Sequence, residues 1–115
     1  MQVVFQITSG ERDAQLSMLG QLNNLLNYTN ERKTRIAIEV VVHGHAWNLL
    51  LPDGHPFPEK ISALHGQSVR FLICRNTLNS RQLATDQLFP FVEVVSAAVA
   101  HLVERQQEGW AYIRC

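Results

Sequence analysis

Cysteine is scarce: the chain of 115 residues has two, Cys74 and Cys115. That is too few for a disulfide scaffold, and neither sits in the spacing of a zinc motif, so both are expected as free thiols in a reducing compartment. An excess of charge is missing as well. Ten basic and ten acidic residues cancel, which removes the electrostatic footprint of a nucleic-acid binder and leaves little repulsion between copies of the chain. No apolar run approaches the roughly 18–20 residues that span a bilayer, so no membrane partner is expected. The opening Met1-Gln2-Val3-Val4-Phe5 lacks the basic and long apolar regions of a signal peptide. The cytoplasm is the expected location. The glycine patterns of nucleotide-binding loops are absent, and so is the Gly-x-Ser-x-Gly elbow of serine hydrolases. Internal repeats, low-complexity stretches and linkers are lacking too.

What is present reads as one globular domain over residues 1–115. Apolar residues make up 46% and charged residues 17%, enough to bury a modest core. Residues 2–7, 35–42, 69–74, 91–95 and 110–113 are β-rich runs. Several are apolar almost throughout, as in strands covered on both faces. Between them lie helical patterns. Leu16, Leu19, Leu22, Leu25 and Leu26 form a stripe on a helix over 12–28, with Thr8 and Glu11 in capping-box spacing before it. A short helix is expected over 46–51, another beginning over Glu59 to Leu64 that Gly66 can terminate, and a rigid loop over 52–58 with three prolines. Asn76 and Thr77 are N-cap types for a helix over 78–85, and Ser96 for one over 97–107. Strands alternating with helices predict an α/β fold, a five-stranded parallel sheet between helical layers.

Ligands in such sheets sit beyond the carboxyl ends of the strands. There the sequence places Ser9 and Gly10, His43 and Gly44, Cys74, Arg75 and Asn76, and Ser96. Cys74 is the sharpest candidate. Only a thiolate attacks or carries sulfur, and a helix N-terminus with an inward-turned Arg75 would favour that anion. A small buried apolar residue ending a strand is the competing reading of Cys74. His43 could stabilise a thiolate or move a proton, or be held in its loop by hydrogen bonds. The His43/His45 pair lacks a third ligand, so no metal is expected, and no cofactor. His101 reads as a surface or interface residue. Pairing of Cys74 with Cys115 needs Cα atoms within about 7 Å, which the sequence leaves open.

Five segments together resemble the DsrE/DsrF-like family, in its short single-domain branch. They are Val3-Val4-Phe5-Gln6-Ile7-Thr8-Ser9-Gly10, Asn23-Asn24-Leu25-Leu26-Asn27, Glu39-Val40-Val41-Val42-His43-Gly44, Phe71-Leu72-Ile73-Cys74-Arg75-Asn76-Thr77-Leu78, and Arg105-Gln106-Gln107-Glu108-Gly109-Trp110-Ala111-Tyr112-Ile113. The resemblance implies a three-layer α/β/α sandwich and homo-oligomers, commonly trimers or hexamers. It also implies a persulfide carrier at the position of Cys74, exchanging sulfur with donor and acceptor proteins. A non-catalytic oligomeric module for a small anion or nucleotide-like ligand is the alternative. Trp47, Phe57, Phe89, Phe91 and Trp110 are either core or interface.

Overall fold

The structure, a computed structural model, describes residues 1–53 and 57–115. Its strands are β1 (Gln2–Ile7), β2 (Ala37–Val42), β3 (Val69–Cys74), β4 (Glu93–Val95) and β5 (Ala111–Arg114). Its α-helices are α1 (Arg12–Glu31), α2 (Pro58–Gly66), α3 (Arg75–Arg81) and α4 (Ala98–Gln107). Short 3₁₀ segments occupy Gly44–Leu50 and Thr85–Gln87. All strands are parallel, in the order β4-β3-β2-β1-β5. Part of the expected 52–58 loop, Gly54, His55 and Pro56, lies outside the described residues.

This order explains the layers. From β1 to β4 each connection steps the same way across the sheet, and a right-handed crossover then places its helix on one face. The connection from β4 to β5 runs back across the sheet, so α4 lies on the other face. The first face is thick: Phe5, Ile7, Val40, Val42, Phe71 and Ile73 pack against α1, α2 and Leu78 of α3. Under α4 the buried apolar cluster is Val4, Val41, Cys74, Ala98 and Leu102 among the described residues, with Trp110 at its side.

Several local expectations are corrected. Thr8 and Glu11 make no capping box. Glu11 is the residue before the first turn of α1, and its N–H is taken by the Ser9 hydroxyl at 3.1 Å. α1 runs on to Glu31; Thr29 in its last turn is buried and donates its hydroxyl to the carbonyls of Leu25 and Leu26. β3 enters α3 with no intervening loop, so Asn76 and Thr77 stand inside the first turn instead of capping a later helix. Gln82, left-handed at φ 54°, ends α3 at Arg81. Ser96 does not cap α4; Ala97 precedes its first turn. Of the five aromatic residues read as core or interface, Phe57 and Phe89 are buried, while Trp47, Phe91 and Trp110 are half-buried.

Candidate functional site

At the carboxyl edge, α3 leaves β3 toward one face and α4 follows β4 on the other. The crevice where such connections part is the usual ligand site of an open sheet. Here it holds a cavity of about 390 Å³ lined by His43, Cys74, Asn76, Thr77, Ser80 and the Ala97–Val99 turn. Cys74 is 5% exposed, the last residue of β3 and the one before α3. Its Sγ accepts the N–H of Ala98 at 3.3 Å. Ala98 opens α4, so the sulfur satisfies one of the amides left unpaired at the start of that helix. The expected dipole was that of the helix following Cys74. The amide that reaches the sulfur belongs to α4, 24 residues on.

His43, just past β2, lines the same cavity. Burial pushes its imidazole below the ordinary 6.5, so it is neutral at pH 7. Its Nε2 is buried with no hydrogen-bond partner among the described residues. Gly44 stands behind the cavity wall: its N–H donates to Thr77 Oγ1 at 3.3 Å, and its φ of +61° suits glycine. Asn76 is a lining residue, but Arg75 is exposed and is not. Of the two readings the sequence leaves open for Arg75, an inward charge beside Cys74 or a solvated surface charge, the second fits, because α3 begins directly at this residue and leaves it exposed.

Ser9 and Gly10 are not among the lining residues. Ser9 caps the turn before α1. A Cβ added to Gly10 would stand 2.7 Å from the carbonyl oxygen of His45. Gly10 is thus required by close approach of two backbones. Gly10→Ala is expected to cost about 1–3 kcal/mol through overpacking, read as a lowered midpoint in urea denaturation, with an unchanged midpoint as the contrary result.

Cys115 is half-buried, packs against the core of the thick face, and donates its thiol to Gln21 Oε1 at 3.6 Å. Burial pushes its thiol up. Cys115 continues β5, which is three strand spacings from β3. At about 4.8 Å each, that is roughly 14 Å, too far for a disulfide.

One group of residues under α4 was not anticipated. Glu39 of β2 has a side chain 0% exposed. Its Oε1 accepts from Arg105 Nε at 2.9 Å and meets His101 Nε2 at 2.7 Å. Its Oε2 accepts from Arg105 at 2.7 Å and Arg70 at 2.8 Å. Burial raises a carboxyl group, but the hydrogen bonds of Arg105 and His101 and their charges outweigh it and hold Glu39 below the ordinary range. Arg70 also grips Glu93 through two bonds, at 2.6 and 2.8 Å. His101, read from the sequence as a surface or interface residue, is a half-buried partner of Glu39. The signal was a lone acid in the apolar strand Ala-Ile-Glu-Val-Val-Val, with a His and an Arg four residues apart on a helix. Among the described residues no three His, Cys, Asp or Glu side chains form a metal-holding group, and no helix is long and apolar enough to cross a membrane.

The fold and sequence can be placed among known proteins. A protein of unknown function, MTH1491 from Methanobacterium thermoautotrophicum, is 38% identical; the match covers 99% of this chain and 98% of that one, with a TM-score of 0.91. The ychN protein from E. coli shares the fold at 16% identity and a TM-score of 0.71, over 100% of both chains. BT1422 from Bacteroides thetaiotaomicron, also of unknown function, shares it at 15% identity and a TM-score of 0.73, over 99% of this chain and 94% of that one. No curated protein sequence matches the chain. Residues 1–115 in full match the sequence pattern of one family, and on that match this chain belongs to the DsrE/DsrF-like family.

Proposed function

We propose that the chain is a sulfur-relay protein that carries a sulfane sulfur on Cys74. The observation that carries this reading is the sulfur's position: it lines an open cavity and accepts an unpaired helix-initial amide. A hydrogen bond donated to sulfur favours the thiolate, the form that attacks. The thiolate would attack the outer sulfur of a donor persulfide, R–S–SH. A new S–S bond forms at Cys74, the donor's S–S bond breaks, and R–S⁻ departs with the electron pair. An acceptor thiolate then takes the outer sulfur by the same exchange and restores the Cys74 thiolate, with no net oxidation. Donor and acceptor proteins are the proposed partners. His43 is the proposed base, and Asn76, Thr77 and Ser80 supply polar groups around the incoming sulfur.

The test is intact mass after incubation with a persulfide donor. A gain of one sulfur atom is expected in the wild type and in Cys115→Ser, but not in Cys74→Ser. No adduct on the wild-type chain, or an adduct that survives in Cys74→Ser, refutes the reading.

We also propose self-association, as a trimer or hexamer, through the side bearing α4. Val99, Val103 and Tyr112 are exposed there, at 66%, 47% and 38%. Tyr112 pairs with Val4 in the sheet, which places it on the face that α4 covers. Light scattering at micromolar concentration is expected to give a multiple of the 13.1 kDa chain mass; a strictly monomeric particle would contradict it.

A further inference from the structure

A buried carboxylate among valines needs an explanation, since apolar residues of similar volume often serve stability as well or better. The explanation lies in what α4 carries. Ala98, His101, Leu102 and Arg105 recur at three- and four-residue steps, so they share the face turned to the sheet. Ala98 meets Cys74, while His101 and Arg105 meet Glu39. The sites are two turns apart on one rigid element, about 10 Å at 1.5 Å per residue.

We infer that Glu39 is a positioning residue for Cys74, acting through Arg105 and His101 to fix where the first amide of α4 stands. Few apolar side chains join α4 to the sheet, and Val4, Val41 and Leu102 tolerate a small roll or slide. The paired bonds between Arg105 and Glu39 do not, because a two-point contact sets both direction and distance. If α4 moves by a fraction of an ångström, the 3.3 Å contact from Ala98 to the sulfur opens. The charged surroundings of this clamp are Arg70 of β3, Glu93 of β4 beyond it, and Glu108, which holds the outer side of Arg105 at 2.9 Å. Trp110 lies against the Arg105 guanidinium, 4.5 Å from ring centroid to carbon. Near the sulfur the titratable groups are His43 in the cavity and the exposed Arg75.

The inference deepens the reading above and rests on Cys74 being the reacting thiol. Its test uses a different readout. In the full chain carrying Cys115→Ser, the alkylation rate of Cys74 by iodoacetamide is followed against pH. Glu39→Gln is expected to move the midpoint up by about one pH unit and slow the reaction at neutral pH about tenfold, because the thiolate loses its donor. Arg105→Lys keeps the charge but not the fork; it is measured alongside, guards against a Glu39→Gln chain that fails to fold, and is expected to shift the midpoint less in the same direction. Leu22→Ala, which weakens the opposite face, is expected to leave the midpoint in place. Mere loosening exposes the thiol and speeds alkylation at every pH, so a uniform rise in both clamp variants, or profiles that superimpose on the parent, overturn the inference. If the midpoint moves while Cys74 accepts no sulfur, the positioning role stands and the relay reading falls.

Discussion

Replacement of His43 by glutamine is expected to slow sulfur loading on Cys74 by roughly 100-fold at pH 7, the lower end of what a positioned general base contributes. The argument starts from burial. Its imidazole is held below the ordinary 6.5 by loss of water, so near neutral pH it is uncharged and has a lone pair to offer. In the proposed relay its role is that of a proton acceptor and not of a counter-cation. Nothing in the described structure occupies its buried Nε2. A buried polar nitrogen without a partner costs about 1–3 kcal/mol, so this one stands against stability unless the Cys74 thiol, on becoming the attacking thiolate, supplies its proton. His43→Leu is accordingly expected to hold or raise the denaturation midpoint while losing activity. The pH dependence follows from the sign of the shift. The unfolded chain takes up the proton first as pH falls, so this group's contribution to stability is whole above about 6.5 and is lost below it, toward the lower folded value. The loading rate falls along the same acid limb, because protonated His43 accepts nothing. His43→Gln is expected to lose that limb. Single-turnover loading by quenched mass measurement decides the matter; an unchanged rate with the acid limb intact would remove His43 from the chemistry.

The strands were the most legible part of the sequence. β1 and β3 have the expected ends because β-branched, apolar runs are bounded by turn and cap residues. The start of α3 was misread because Asn76 and Thr77 are good caps, and tertiary structure gave Thr77 another task, accepting the N–H of Gly44. At the site, Cys74, His43 and Asn76 could be named from position alone, and the structure brings them to one cavity. The Ala97–Val99 wall could not. Its contribution to Cys74 is a backbone amide, which residue identity does not advertise. Ser9 and Gly10 satisfy the same strand-end rule, yet the 3₁₀ segment after β2 comes against the loop that holds them, with the carbonyl of His45 at Gly10. Glu39 was hidden for a different reason: its partners on α4 lie 62 and 66 residues away, beyond any local pattern.

Glu39→Ala is expected to lower stability at pH 7 by about 3 kcal/mol, near the lower bound for removing one partner of a buried ion pair. The lower bound is the better estimate because neither arginine is stranded. Arg70, 47% exposed on its side chain, keeps Glu93, and Arg105 keeps Glu108. What is lost is the acceptor of four hydrogen bonds, together with the volume of a side chain buried under α4. Acid should produce the same loss in the wild type. Glu39 and Glu93 are both held below 4.5 in the folded chain, the first by Arg105 and His101 against burial, the second by Arg70. The unfolded carboxyls therefore protonate first. The stabilisation is complete above 4.5 and drains away as pH falls below it toward the folded values. Urea denaturation at pH 7 and again near pH 3.5 is expected to show a steeper acid loss in the wild type than in Glu39→Ala, so that the two curves converge. Parallel curves at both pH values would mean that the carboxylate contributes packing volume and nothing electrostatic. Replacing the clamp as a unit, by Glu39→Leu with His101→Leu and Arg105→Met, separates the two roles: a buried charge cluster exchanged for apolar residues costs little or nothing in stability, while the register of α4 over Cys74 loses the two-point contact that set it.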